Sequence, residues 1–165
     1  MTLIHPIDPV YDKDSRILIL GSFPSVKSRE SGFFYGHPQN RFWKILAAVF
    51  QESVPDTIQA KKDFLLRNHV AVWDVIRSCD ISGSADTSIR NASVNDLSII
   101  LNEAKIERIC ANGTTAEKLY RSHLEKQTGR QIVLLPSSSP ANAAYSLERL
   151  IRSWSAALFD DSAKP

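Results

Sequence analysis

Four short apolar runs limit what this chain can become: RILILG at 16–21, VAVWDV at 70–75, RICANG at 108–113 and QIVLLP at 131–136. Each is apolar almost without interruption, whereas a strand with one wet face would alternate. Such runs suit strands buried on both faces of a parallel sheet. Parallel neighbours need crossover segments, and the sequence between the runs has helical spacing. Phe42, Trp43, Leu46, Val49 and Phe50 gather on one side of 40–50, and 57–67 carries a weaker pattern ending near Asn68. SVND at 93–96 reads as a capping box ahead of Leu97, Ile100, Leu101 and Ala104. Thr114 or Thr115 can cap a helix running through Leu119, Tyr120 and Leu124, and Leu147, Leu150, Ile151, Trp154 and Leu158 outline the last helix. Strands alternating with helices predict an α/β fold: a three-layer α/β/α sandwich with a central four-stranded parallel sheet, one domain over 1–165.

Composition narrows the function classes. With 43% hydrophobic and 23% charged residues the chain can build a core and is no disordered tail. A net charge of +2 does not by itself imply nucleic acid. The charge is uneven, however: Arg16, Lys27, Arg29, Arg41 and Lys44 face only Glu30 within 16–44. Cys79 and Cys110 are too few and too far apart for a zinc or iron–sulfur centre. Both follow apolar runs and are expected to be buried free thiols, which suits a reducing cytosol. No apolar run approaches the ~20 residues that span a bilayer. The opening MTLIHPIDPVYDKD lacks the basic-then-apolar plan of a signal peptide.

In sheets of this kind ligands bind beyond the carboxyl ends of the strands. The loops GSFPS (21–25), WDVIRSCD (73–80), NGTT (112–115) and LPSSSPAN (135–142) therefore hold the chemistry, and 77–93 is expected to be a long polar loop on the same edge. Gly21 and Pro24 shape a tight turn in which Ser22 and Ser25 offer hydroxyls; an ordinary strand-end turn would look the same. Ser137, Ser138 and Ser139 make a hydroxyl-rich loop before a helix N-terminus, where anions are favoured. Asn142 is also a natural N-cap for the last helix, a role open to Ser139 as well. The segment ESGFFYGHPQNRFWKIL (30–46) is both the most aromatic and a basic one.

The combination GSFPS…YGHPQNRFW…PSSSPAN resembles the uracil-DNA glycosylase superfamily, and most of all its hypoxanthine (deoxyinosine) DNA glycosylase branch. The likeness is close over 16–44 and 131–145, and extends to the order of strands and helices elsewhere. It implies a monofunctional DNA glycosylase of base excision repair that hydrolyses the N-glycosidic bond of hypoxanthine. Its partner would be double- or single-stranded DNA carrying a deaminated base. The protein would be a monomer, needing no cofactor or metal and no membrane, and would be cytoplasmic and nucleoid-associated.

The resemblance also assigns roles. Such an enzyme takes its base out of the stack and needs an aromatic partner for it, and Tyr35 falls where mismatch-specific relatives place theirs. Phe33 and Phe34 line the pocket or anchor the loop in the core, with core favoured for one of them. Uracil-directed relatives carry Asp or Asn where this chain has Phe23, which cannot orient water, so the branch resemblance moves catalysis to Asn40; a plain helix cap is the alternative. Asp74 ends the second strand near the base-reading position. A carboxylate there would accept from the ring N–H of hypoxanthine and be repelled by the bare ring nitrogen of adenine; capping the 77–93 loop would explain it equally well. Asn112 would line the pocket or cap the helix beginning TTAEKL, and His37 would donate to the departing base or to a phosphate, a purely structural loop histidine being the alternative. Ser22, Ser25 and Ser137–Ser139 would grip the DNA backbone, Lys27, Arg29 and Arg41 would supply charge, and Ser139, Pro140, Ala141 and Asn142 would sit where relatives insert a wedge. Neither Lys27 nor Lys44 is supported as a Schiff-base former. The rivals are a uracil or mismatch glycosylase, a non-catalytic nucleic-acid-binding module, and a serine esterase, which would lack Gly-x-Ser-x-Gly.

Overall fold

A computed structural model describes residues 2–159. Its strands are β1 (Thr2–Ile4), β2 (Ile17–Gly21), β3 (Val70–Asp74), β4 (Ile76–Asp80), β5 (Arg90–Val94), β6 (Arg108–Asn112) and β7 (Val133–Leu135). Its helices are α1 (Val26–Ser31), α2 (Phe42–Val49), α3 (Ile58–Arg67), α4 (Ser98–Leu101), α5 (Thr114–His123), α6 (Glu125–Thr128) and α7 (Leu147–Phe159).

All four apolar runs are strands, and they form one parallel sheet in the order β3-β2-β6-β7. Every residue of β3 is buried, as a strand covered on both faces requires. Helices flank the sheet, giving the three-layer α/β/α sandwich. α2 packs on α7, α7 on β7, α3 on β3, and α5 on β6 and β7. The core is strongly aromatic: Phe34, Phe42, Phe64, Tyr120 and Trp154 are almost wholly buried, and such a side chain contributes about 1.5–3 kcal/mol by leaving water. Two tryptophans also tie this core to the loops above it. Trp43 Nε1 donates to the Phe34 carbonyl and Trp154 Nε1 to the Pro136 carbonyl.

The long loop expected over 77–93 is instead a second sheet. β4 pairs antiparallel with β1 and β5 in the order β1-β4-β5, and the turn between β4 and β5 contains a short 3₁₀ segment, Asp86–Ser88. Register shifts at Ile76/Ser78 and Ser78/Asp80 break the alternation that would have marked these strands.

Three helix caps also differ from expectation. Ser93 lies in β5 bonded to Ser78, and the Ser98 amide is capped by Asp96. Gly113, not a threonine, caps α5, with φ +98°. The Arg149 amide donates to Ser146, so neither Asn142 nor Ser139 caps α7. α1 has no counterpart in the apolar spacing; Ser25 caps it by accepting from the Ser28 amide. Cys79 and Cys110 are both free and buried. No helix among the described residues is long and apolar enough to cross a membrane.

Candidate active site

The carboxyl ends of β2, β3, β6 and β7 open onto one cavity of about 870 Å³. Tyr35, His37, Asn40, Phe23, Asp74 and Asn112 all line it, as do Ser22, Ser25 and Ser137–Asn142. The structure thus gathers nearly every residue singled out from the sequence, across five separated stretches of chain.

Tyr35 stands in the left-handed region at φ 53°, a conformation that costs a non-glycine residue about 1–3 kcal/mol. What holds it there is stacking: its ring lies on Phe42 with centroids 3.9 Å apart and planes 14° apart. One face is covered and the ring borders the cavity. Its hydroxyl is buried beside Asp74 and Asn112 without a regular hydrogen bond to either. Burial first, and then the Asp74 charge, push its pKa well above the usual tyrosine range, so it stays protonated. Phe33 and Phe34 are both core residues, and Phe34 also reaches the cavity wall.

Asp74 has a partner that no local spacing could reveal. His5, just past β1, places Nε2 2.7 Å from Asp74 Oδ2, and both side chains are almost fully enclosed. His5 Nδ1 accepts from the Ile7 amide at 3.2 Å. That bond fixes the tautomer: Nδ1 is the acceptor, so Nε2 carries the proton and donates to Asp74. Gly21 is required next to this pair, because a Cβ there would overlap Asp74 Oδ1 and lie 2.9 Å from the Tyr35 hydroxyl. Phe23 turns toward Ile76 and Cys79 in a small apolar cluster, with His5 edge-on at 5.8 Å and the Arg29 guanidinium over its ring.

Asn40 is both cap and site residue. Its Oδ1 accepts from the Phe42 amide at 3.0 Å and from Ser138 Oγ at 2.8 Å. Both lone pairs are then used, and the amide group Nδ2 is left as a donor with no protein partner among the described residues. Asn112 takes the other side of Ser138, donating to its Oγ at 2.9 Å and accepting from its amide at 3.0 Å. Ser138 is fully buried. It is the knot that joins α2 to the serine loop, with its hydroxyl and amide engaged by Asn40 and Asn112.

Arg41 is engaged within the protein as well. Its guanidinium donates to the carbonyls of Ser138, Ser139, Asn142 and Tyr145. It clamps the loop after β7 rather than offering its charge to solvent. Arg29 donates to the carbonyls of Pro24 and Gly83. Lys27 is exposed and 3.9 Å from Glu30, which leaves it the basic side chain of the three most open to a phosphate. Ser139 and Asn142 are half-buried and Pro140 and Ala141 exposed at the cavity rim. His37 Nδ1 accepts from the Gln39 amide, so its Nε2–H is the group left to donate.

Two further cavity residues escaped the sequence reading. Asp86, in the β4–β5 turn, accepts from Ser22 Oγ at 2.9 Å. The residue is exposed at the cavity mouth, and partial desolvation of its carboxyl there, opposed by the Ser22 and Thr115 hydroxyls, raises its pKa. The polar composition of 77–93 pointed to this loop but not to the residue. Tyr145, also at the cavity, carries the Arg149 guanidinium 4.0 Å above its ring. No group of three or more His, Cys, Asp or Glu among the described residues could hold a metal ion.

One strand edge of the parallel sheet thus opens onto a cavity that brings together a tyrosine stacked on Phe42, a buried carboxylate and a serine loop. The chain belongs to the uracil DNA glycosylase superfamily, whose sequence profile matches residues 9–159. It is similar to the hypoxanthine DNA glycosylase of Methanosarcina acetivorans, with 35% identity over 142 residues covering 85% of this chain and 89% of the relative. The hypoxanthine DNA glycosylase of Methanosarcina barkeri is 34% identical over 136 residues, covering 81% and 85%. A solution NMR structure from Methanosarcina acetivorans, described as a candidate uracil DNA glycosylase, superposes with a TM-score of 0.80 at 33% identity, covering 94% of this chain and 96% of the other.

Proposed function

We propose that this DNA glycosylase excises hypoxanthine, the deamination product of adenine, by simple hydrolysis. The observation that carries this reading is the His5–Asp74 pair at the cavity. Because His5 donates to one carboxylate oxygen, Asp74 meets a base as an acceptor. Hypoxanthine presents a ring N–H beside a carbonyl and satisfies it; adenine presents a bare nitrogen and leaves two acceptors facing each other. The names of the two Methanosarcina relatives agree with this choice.

The flipped base lies against Tyr35, whose far face Phe42 supports. Stacking of this kind is worth roughly 1–3 kcal/mol per base. The glycosidic bond largely breaks before water adds, so the site must hold charge on the departing base. Asn40 Nδ2 and His37 Nε2–H are the donors available for it. No lysine among the described residues lines the cavity, which favours hydrolysis over a Schiff-base lyase.

The test is single-turnover excision from oligonucleotides containing one inosine, uracil, xanthine or adenine. Inosine should be released fastest and adenine not at all. Uracil shares the ring N–H beside a carbonyl, and faster release of uracil than of inosine would refute the assignment.

A further inference from the structure

Water must add to the sugar as the base leaves, and some acceptor must hold that water by its protons. Asn40 cannot, since Phe42 N and Ser138 Oγ occupy its Oδ1. His37 Nδ1 is taken by the Gln39 amide. Asp74 accepts from His5 on one oxygen, and its other oxygen lies against Gly21 beside Tyr35, where the base is read. Asp86 remains. It borders the same cavity, the Ser22 hydroxyl donates to Oδ1 at 2.9 Å and the Thr115 hydroxyl also faces the carboxylate, whose remaining lone pairs can accept from a water. Ser22 directly follows Gly21 at the end of β2, so the bond anchors the β4–β5 turn to the floor of the site.

We propose that Asp86 is a catalytic residue that orients the attacking water and takes up its proton. The proposal rests on the excision reaction above but not on which base is removed. The C1′–N bond breaks with its electron pair leaving on the base. The water oxygen forms the new bond to C1′. One water proton passes to Asp86 and from there to solvent, and the base takes a proton from solvent. Sugar hydroxyl and neutral base are the products, and no other reactant is consumed.

Asp86 must be ionised for this role. The titratable groups around it are Asp74 at the end of β3, Tyr35 on the loop before α2 and Cys79 on β4, and the cations bonded to this turn are Arg29 of α1, on the Gly83 carbonyl, and Arg90 of β5, on the Thr87 carbonyl. Ser22 and Thr115 face it as neutral donors. Partial desolvation of the carboxyl and the Asp74 charge both favour the protonated acid. Activity should therefore fall on the acid side at a pH above the usual carboxylate range. The stability linkage has the opposite sense: a carboxyl whose folded pKa is raised costs stability once pH rises through that pKa. Replacing it by an uncharged isostere should leave the protein as stable at neutral pH, or more so.

The experiment compares wild type with Asp86→Asn and Ser22→Ala on a duplex carrying a base that wild type excises. Single-turnover rates are followed from acid to neutral pH, alongside urea unfolding and binding of a non-cleavable duplex. Asp86→Asn should lose at least ~10²-fold in rate with stability and binding retained, and its rate should show no acid limb. Ser22→Ala removes a donor to the carboxylate and should move that limb to higher pH. Asp86→Asn excising at the wild-type rate, or keeping the same acid limb, would overturn the assignment while leaving the glycosylase reading intact. Failure of wild type to release any base would overturn both.

Discussion

Replacing Asn40 separates its two duties, and the structure sets the scale of each. Asn40→Ala strips acceptors from the Phe42 amide and from the hydroxyl of Ser138. A hydrogen bond contributes about 0.5–1.5 kcal/mol net, and a buried group left unpaired costs about 1–3 kcal/mol. Ser138 is fully buried, so the variant should lose about 2–4 kcal/mol, more than the ~1 kcal/mol of an ordinary lost cap. Asn40→Asp keeps both acceptors and should fold nearly as well. It loses the Nδ2 donor, however, and adds a negative charge where charge builds on the departing base. Both variants should excise inosine at least ~10²-fold more slowly, the scale of one preorganised donor. Urea unfolding gives the stabilities and single-turnover cleavage gives the rates. Wild-type excision by Asn40→Asp would refute the donor role, and undiminished stability in Asn40→Ala would refute the Ser138 link.

Tyr35→Phe removes a buried hydroxyl that has no regular partner; it should keep excision and full stability, whereas Tyr35→Ala should lose most of its excision, as single-turnover rates and urea unfolding will show. His5→Ala deprives Asp74 of its donor, and the ratio of inosine to adenine release should fall; an unchanged ratio would mean that the pair is only structural. Arg41→Lys cannot reach four carbonyls at once and should destabilise by about 2 kcal/mol without altering the salt dependence of DNA binding. Lys27→Ala, by contrast, should lower the slope of log affinity against log salt by about 0.9, the share of one neutralised phosphate, while leaving stability alone.

The chain of apolar runs settled the central sheet, because a strand buried on both faces has no freedom to be polar; RILILG, VAVWDV, RICANG and QIVLLP became neighbours in β3-β2-β6-β7 order. Spacing of Phe42, Trp43 and Leu46 likewise announced α2, and the aromatic and serine motifs marked where the cavity would open. The second sheet was hidden because its strands are bulged and its outer face polar. Side-chain partnership was hidden for a more general reason. Tertiary contacts join residues by distance in space, and nothing local in the sequence couples His5 to Asp74 across 69 positions or Ser22 to Asp86 across 64. The same holds for Arg41, whose charge reads as a phosphate contact until four carbonyls of a loop about a hundred residues later surround it. Sequence chose which groups the site would contain; packing chose which of their atoms remain free to act.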